Sequence, residues 1–175
     1  LSTMIGFFNR NPTSSPTEKN LGTSAYESFL KKRHLRPTAR VVQGQYLSQH
    51  RLAHAAIDIS DGLSGDLSHL CQASQVGAEL QAKDLPISRQ CHVYAIANDL
   101  DPFDFALLGG EDYELLFTMH HQHQSKLANL SRRFKTPITC IGTVKPKSFG
   151  LKLTLEDGTN KNILTGVTIT SLDIA

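Results

Sequence analysis

The sequence predicts an α/β layered domain, a mixed β-sheet with helices packed mainly on one face. Three observations support this. Short apolar runs of small and β-branched residues alternate with segments whose apolar residues recur at helical spacing. One such run, Ala55-Ala56-Ile57-Asp58-Ile59, passes through Ser60-Asp61-Gly62 straight into a helical pattern opened by Leu63, so strand, turn and helix follow one another without a loop. Near its end the chain carries an alternating run followed by a hairpin turn. With 175 residues, 39% of them hydrophobic, there is material for one domain with a core.

Taken in order, residues 1–8 are apolar but too short for the hydrophobic region of a signal peptide with its flanks. Residues 9–24 are rich in Asn, Pro, Ser, Thr and Gly, as in Asn11-Pro12-Thr13-Ser14-Ser15-Pro16. The expected division is therefore a flexible or linker segment over 1–24 and a domain over 25–175. A helix fits 25–34, with Tyr26, Phe29 and Leu30 on one face, and it breaks at Pro37. Arg36 and Arg40 are either phosphate ligands or part of a solvated basic turn leading into a helix over 39–48; the second reading is the simpler. A buried strand over 54–59 and a helix carrying Leu63, Leu67, Leu70 and Cys71 follow. The alternation over 77–82 gives the next strand, closing a β-α-β unit, and Asp84-Leu85-Pro86-Ile87 gives a turn. Ser88 opens a helix to about residue 98, and 99–104 reads as a polar break around Pro102. An inner strand is expected over 115–119, a helix over 125–134 through Leu127, Leu130 and Phe134, and a strand over 138–144. Leu151-Lys152-Leu153-Thr154-Leu155, followed by Glu156-Asp157-Gly158-Thr159, predicts an antiparallel pair.

Chemistry concentrates at two places. Asp58, Ser60 and Asp61 sit where a strand's carboxyl end meets a helix N-terminus, the position at which open α/β sheets bind ligands and backbone N–H groups favour phosphate. Two carboxylates would repel a bare phosphate, so the matching third party is a hard divalent cation such as Mg²⁺, bridging carboxylate and phosphate oxygens. Ser60 or Asp61 could instead cap the helix, but Asp58, ending an apolar strand, has no capping role. The second place is Gly109-Gly110-Glu111-Asp112-Tyr113-Glu114, where paired glycines constrain two acids just before an apolar strand. Those acids are either ligand groups or the solvated acids of an ordinary turn. His120, His121 and His123 fit a solvated helix start better than a metal site, because adjacent histidines on a helix cannot all face one ion.

The formal charge of +2 is spread over interspersed acids and bases, which favours neither a nucleic-acid nor a membrane partner. Cys71, Cys91 and Cys140 are widely spaced and form no C-x-x-C, as expected in a reducing compartment, the cytoplasm by default.

Ile57-Asp58-Ile59-Ser60-Asp61-Gly62-Leu63 with Asp66-Leu67, together with Gly109-Gly110-Glu111-Asp112-Tyr113-Glu114-Leu115, resembles the C-terminal domain of thiamine-monophosphate kinase. Leu35-Arg36-Pro37-Thr38-Ala39-Arg40, Val76-Gly77-Ala78 and Leu85-Pro86 extend the likeness from about residue 29 to 144. The family belongs to the superfamily of aminoimidazole ribonucleotide synthetase and selenophosphate synthetase, which implies the AIR synthase-related C-terminal domain fold. The resemblance implies a kinase of thiamine biosynthesis that transfers the γ-phosphoryl group of ATP to thiamine monophosphate with Mg²⁺. By position it implies Asp58 and Asp61 as Mg²⁺ ligands, Ser60 as an ATP contact and Glu111 as a contact of the thiamine substrate. In that family a preceding domain carries most of the metal-binding aspartates and mediates homodimerisation. No such Asp-rich domain stands in this sequence, which begins with Leu rather than Met, so the chain is expected to be a C-terminal portion without kinase activity of its own. The aromatic, His-containing tail of the family has no counterpart in 166–175. Two other readings remain: a different ATP-using member of the superfamily, and a noncatalytic module that uses the fold for dimerisation.

Overall fold

In a computed structural model, residues 2–7 and 23–163 are described. The segments 8–22 and 164–175, which hold most of the expected linker and the divergent tail, lie outside them. Seven strands form one sheet: β1 (Ser2–Phe7), β2 (Ala55–Ile59), β3 (Val76–Gln81), β4 (Glu114–His120), β5 (Ile138–Pro146), β6 (Leu151–Thr154) and β7 (Asn160–Asn162), in the order β2-β4-β1-β5-β3-β6-β7. All neighbours are antiparallel except β3 and β6. Among the described residues the α-helices are α1 (Thr23–Leu35), α2 (Val41–Gln49), α3 (Leu63–Ser74), α4 (Arg89–Ala97), α5 (Pro102–Leu108) and α6 (Leu127–Phe134).

Period-two alternation in β4 divides the core. Leu116 joins Ile59, Leu63, Leu67, Leu80 and Ile141 on the face covered by α3 and α5. Phe117 and Met119 point the other way, onto Leu47 of α2 and Leu127 and Leu130 of α6. The mixed α/β architecture thus holds as predicted, and a smaller helical pair covers Phe117 and Met119 on the second face, but β2, expected to be a buried strand, is an edge strand in which only Ile59 is buried. The terminal hairpin also forms: Gly158, at φ +82°, turns the chain, and Leu155 N–H donates to Thr159 O at 2.8 Å.

Three expectations are corrected. The 1–24 segment is not all linker, because Ser2–Phe7 forms β1 between β4 and β5; an apolar run this short carries no strand signature until two open edges accept it. The polar break over 99–104 instead contains the start of α5, with Pro102 in its first turn and Asp101 as N-cap, its carboxylate accepting from Phe103 N–H at 2.8 Å. The β2-α3-β3 unit is split, because β4, β1 and β5 lie between its two strands. No helix among the described residues is long and apolar enough to cross a membrane.

Candidate functional site

Antiparallel pairing of β2 with β4 sets Ile59 opposite Glu114, so the carboxyl end of one strand lies beside the start of the other. This brings the Asp58–Gly62 turn against the Gly109–Tyr113 loop. The ladder continues past the strands: Glu111 N–H donates to Ser60 O and Tyr113 N–H to Ile59 O, each at 2.8 Å. A Cβ at position 110 would sit 2.5 Å from Ser60 O, so glycine is what allows the two segments to touch.

The turn is held from within. Asp66, buried in the first turn of α3, accepts from Ser60 N–H at 2.9 Å and from Asp61 N–H at 3.0 Å. Gly62 is the N-cap, at φ +99° and packed against the Leu108 carbonyl. No side chain caps α3, so the capping alternative for Ser60 and Asp61 does not apply and their side chains are left for other partners. The buried Ser64 hydroxyl donates to Leu107 O at 2.6 Å, tying α3 to the end of α5.

Interaction with Glu111, through hydrogen bonding and charge, pushes the Tyr113 phenol's pKa up, with smaller contributions from desolvation and from the charges of Asp58 and Asp61. Glu111 and Tyr113 both adopt left-handed backbone, at φ +67° and +50°, which is uncommon for such residues and sets the direction in which they project. Asp58 and Asp61 are exposed and have no basic partner among the described residues. Unneutralised carboxylates at a strand end suit a hard cation in charge and donor type. Among the described residues, however, no group of three or more His, Cys, Asp or Glu could hold a metal ion by itself.

Glu114 and Asp112 face the other side of the loop. Glu114 is 3% exposed and takes a two-pronged ion pair from Arg40, both contacts at 2.6 Å, with Arg33 at 2.9 Å. Arg40 is thus neither a phosphate ligand nor a solvated turn residue; its guanidinium is committed to Glu114, while Arg36 is exposed. Asp112 is exposed, yet desolvation by its neighbours and the Glu114 charge push its carboxyl up to about 6, against the opposing influence of Arg33 and His34. The histidines sit in a 3-10 turn, His121–Lys126, and at the strand end before it, without forming a metal set. Sequence reasoning passed over Asp66, Tyr113 and the Glu114–Arg40 pair as functional elements. An acid in the first turn of a helix that follows a strand is the one local signal that could have pointed to Asp66.

Comparison with known proteins bears on the family and the fold. The family model described as "AIR synthase related protein, C-terminal domain" matches residues 14–153. A thiamine-monophosphate kinase of Haemophilus influenzae is 43% identical over 137 residues, covering 75% of this chain and 40% of the relative. The crystal structure of thiamine-monophosphate kinase from Stenotrophomonas maltophilia K279a superposes with TM-score 0.70 at 31% identity, over 91% of this chain and 51% of that one. AaThiL complexed with AMPPCP and TMP superposes with TM-score 0.65 at 30% identity, over 91% and 48%. The chain spans about 40% of the length of the curated relative and about half of the solved structures. Two motifs paired across one sheet edge, together with a family match over most of the chain, lead to one assignment: the chain belongs to the AIR synthase related protein, C-terminal domain family.

Proposed function

We propose that this chain is the C-terminal part of a cytoplasmic kinase that, with a preceding domain, transfers the γ-phosphoryl group of ATP to thiamine monophosphate. The observation that carries this is the backbone pairing of the Asp58–Gly62 turn with the Gly109–Tyr113 loop, which brings the segments bearing Asp58, Asp61 and Glu111 together. The similarity to thiamine-monophosphate kinases, one of them solved with AMPPCP and TMP, supports the choice of substrates.

Phosphoryl transfer needs little covalent help from a protein. It needs two anions held in line with their charge neutralised. Asp58 and Asp61 would hold Mg²⁺, which when bound supplies that charge neutralisation. Ser60, its backbone held by Asp66, would contact the nucleotide through its hydroxyl. Glu111, oriented by Tyr113, meets the thiamine substrate. Because the chain covers less than half of the curated relative's length, the preceding domain would contribute the remaining metal ligands and the contact for a homodimer.

The test is turnover by the whole protein, this chain joined to its preceding domain, with MgATP and thiamine monophosphate. Asp58→Asn is expected to lower kcat by about 100-fold or more, the scale of losing preorganised charge stabilisation. Glu111→Gln should act mainly on the KM for thiamine monophosphate. Turnover only with an aminoimidazole precursor or selenide would replace this reading with another member of the superfamily. Failure to bind any of these ligands, with folding indifferent to Mg²⁺, would favour a noncatalytic dimerisation module.

A further inference from the structure

The two exposed acids of the turn are held in different ways. Asp58 lies within β2, opposite Leu115 of β4, so the strand ladder fixes its backbone. Asp61 lies beyond the end of that strand. Its N–H donates to Asp66 at 3.0 Å, and the Ser60 N–H before it donates to the same carboxylate oxygen, Oδ2, at 2.9 Å. Asp61 is also seated on the first turn of α3, where a Cβ at Gly65 would stand 3.7 Å from the Asp61 Cβ. The pose of Asp61 relative to Asp58 is therefore registered from α3, through Asp66.

Asp66 differs from an ordinary acid at a helix start. Acids are favoured in first turns by the helix dipole, an effect that operates at exposed positions without any particular partner. Asp66 is 2% exposed, has no ion-pair partner among the described residues, and reaches back out of its own helix to the turn before it. Taking a carboxylate out of water is costly unless hydrogen bonds to its charged form replace the water, and the two amides at the start of α3 do so. Those amides are thereby withdrawn from phosphate. The attraction of this turn for an anion passes from its backbone to whatever cation its acids hold.

We infer that Asp66 is a positioning residue for the divalent cation, holding Asp61 in register with Asp58 without itself touching the cation or the phosphate. The inference rests on the metal role proposed for those two acids. It assigns to Asp66 a function of place, not of charge. Because one oxygen takes both bonds, an amide oxygen in the same position serves as well, whereas a carboxylate displaced by one methylene does not.

Mn²⁺ is a suitable probe, because its unpaired electrons broaden the amide resonances of residues near it. Titrated into this chain, it should broaden the amides from Asp58 to Gly62 first. Asp66→Asn should reach half-broadening within about threefold of the unaltered chain's Mn²⁺ concentration, and Asp66→Glu only at about tenfold more, the scale of one hydrogen bond to a charged group. Melting of each variant is followed in parallel. If Asp66→Glu does not fold, Asp66→Ser, which withdraws the acceptor, takes its place with the same expectation. A merely structural acid would lower the melting temperature without moving the Mn²⁺ requirement. An effect of charge would make Asp66→Asn need as much Mn²⁺ as Asp66→Glu, or more. Either result overturns the inference, as does failure of Mn²⁺ to broaden the turn of the unaltered chain. In the whole protein the same difference between Asn and Glu should appear in the Mg²⁺ concentration for half-maximal turnover. Turnover of thiamine monophosphate without that difference removes the role of Asp66 and leaves the kinase. The difference in Mn²⁺ binding without turnover leaves the role of Asp66 and removes the kinase.

Discussion

Glu114 shows how a single acid can matter structurally while standing inside a motif that looks functional throughout. Its carboxylate is out of water and balanced by Arg40, itself nearly buried, and by the more open Arg33. Glu114→Gln would leave the Arg40 charge buried without compensation, and a loss of about 3–5 kcal/mol in urea unfolding is expected. Adding Arg40→Met should restore much of it; if the single change is silent, the pair is not sustaining the loop. Asp112 should behave in the opposite way. Its carboxyl titrates at about 6 in the folded chain, above its ordinary 3.8, so over that interval the native state keeps a proton that the unfolded state releases. Stability contributed by this group therefore falls as pH rises from about 4 to about 6, and the penalty is complete above that. Asp112→Asn is expected to raise the melting temperature at about pH 8 and to leave it unchanged at about pH 3.5. An equal shift at both values would show that the charge of Asp112, facing Glu114, Arg33, His34 and Cys91, is not the cause. Asp58, Ser60, Asp61 and Glu111 stood out in the sequence because polar residues at the end of an apolar strand or after paired glycines have few bland explanations. Arg40 was legible only as a phosphate ligand or a solvated turn residue, because its partner Glu114 lies 74 positions away and no local pattern announces the pair.

Among the elements, β2, α3, β4 and the closing hairpin could be read from the sequence because each has a clear period and a clear boundary. α4 was similarly legible: Ser88 is its N-cap, accepting from Cys91 N–H at 3.1 Å. α5 was missed. It has only 7 residues, too few to display a period, and it opens on a proline within an acidic stretch. The same proline favours a first helical turn once Asp101 caps it. The cap has a consequence for the site, because the end of α5 packs on Gly62 and receives the Ser64 hydroxyl, and the glycine pair follows directly. Asp101→Ala should lose about 1 kcal/mol of stability in urea. Amide exchange should also quicken at Glu111 and Tyr113, whose N–H groups bridge to the β2 end. Lost stability with those two amides still protected would mean that α5 is only a spacer.

For the whole molecule, the decisive feature is the one the sequence concealed most fully. Strand order depends on long-range pairing, and no local pattern announces that β4, β1 and β5 will part β2 from β3. β1 lies inside the sheet between β4 and β5, with Thr3, Met4 and Ile5 opposite Met119, Thr118 and Phe117 on one side, and Thr143, Gly142 and Cys140 on the other. Without it, β4 and β5 would each present an open inner edge, and the sheet would divide into β2-β4 and β5-β3-β6-β7. The smaller piece contains both functional segments and is only two strands wide, below the width at which a sheet is stable by itself. Removing residues 1–8 is therefore expected to abolish cooperative unfolding and to release amide protection in β4 first, β5 next and β6 last. Loss of the β2–β4 ladder would also part Glu111 from Ser60, so Cys91, across the loop from them, should label faster. Supplying a synthetic peptide of residues 1–8 in trans should restore protection, because the gap it fills has complementary hydrogen-bonding edges on both sides. A truncated chain that keeps a cooperative transition and native protection in β4 would show that β2–β4 is anchored by its helices alone, and that the site does not depend on β1.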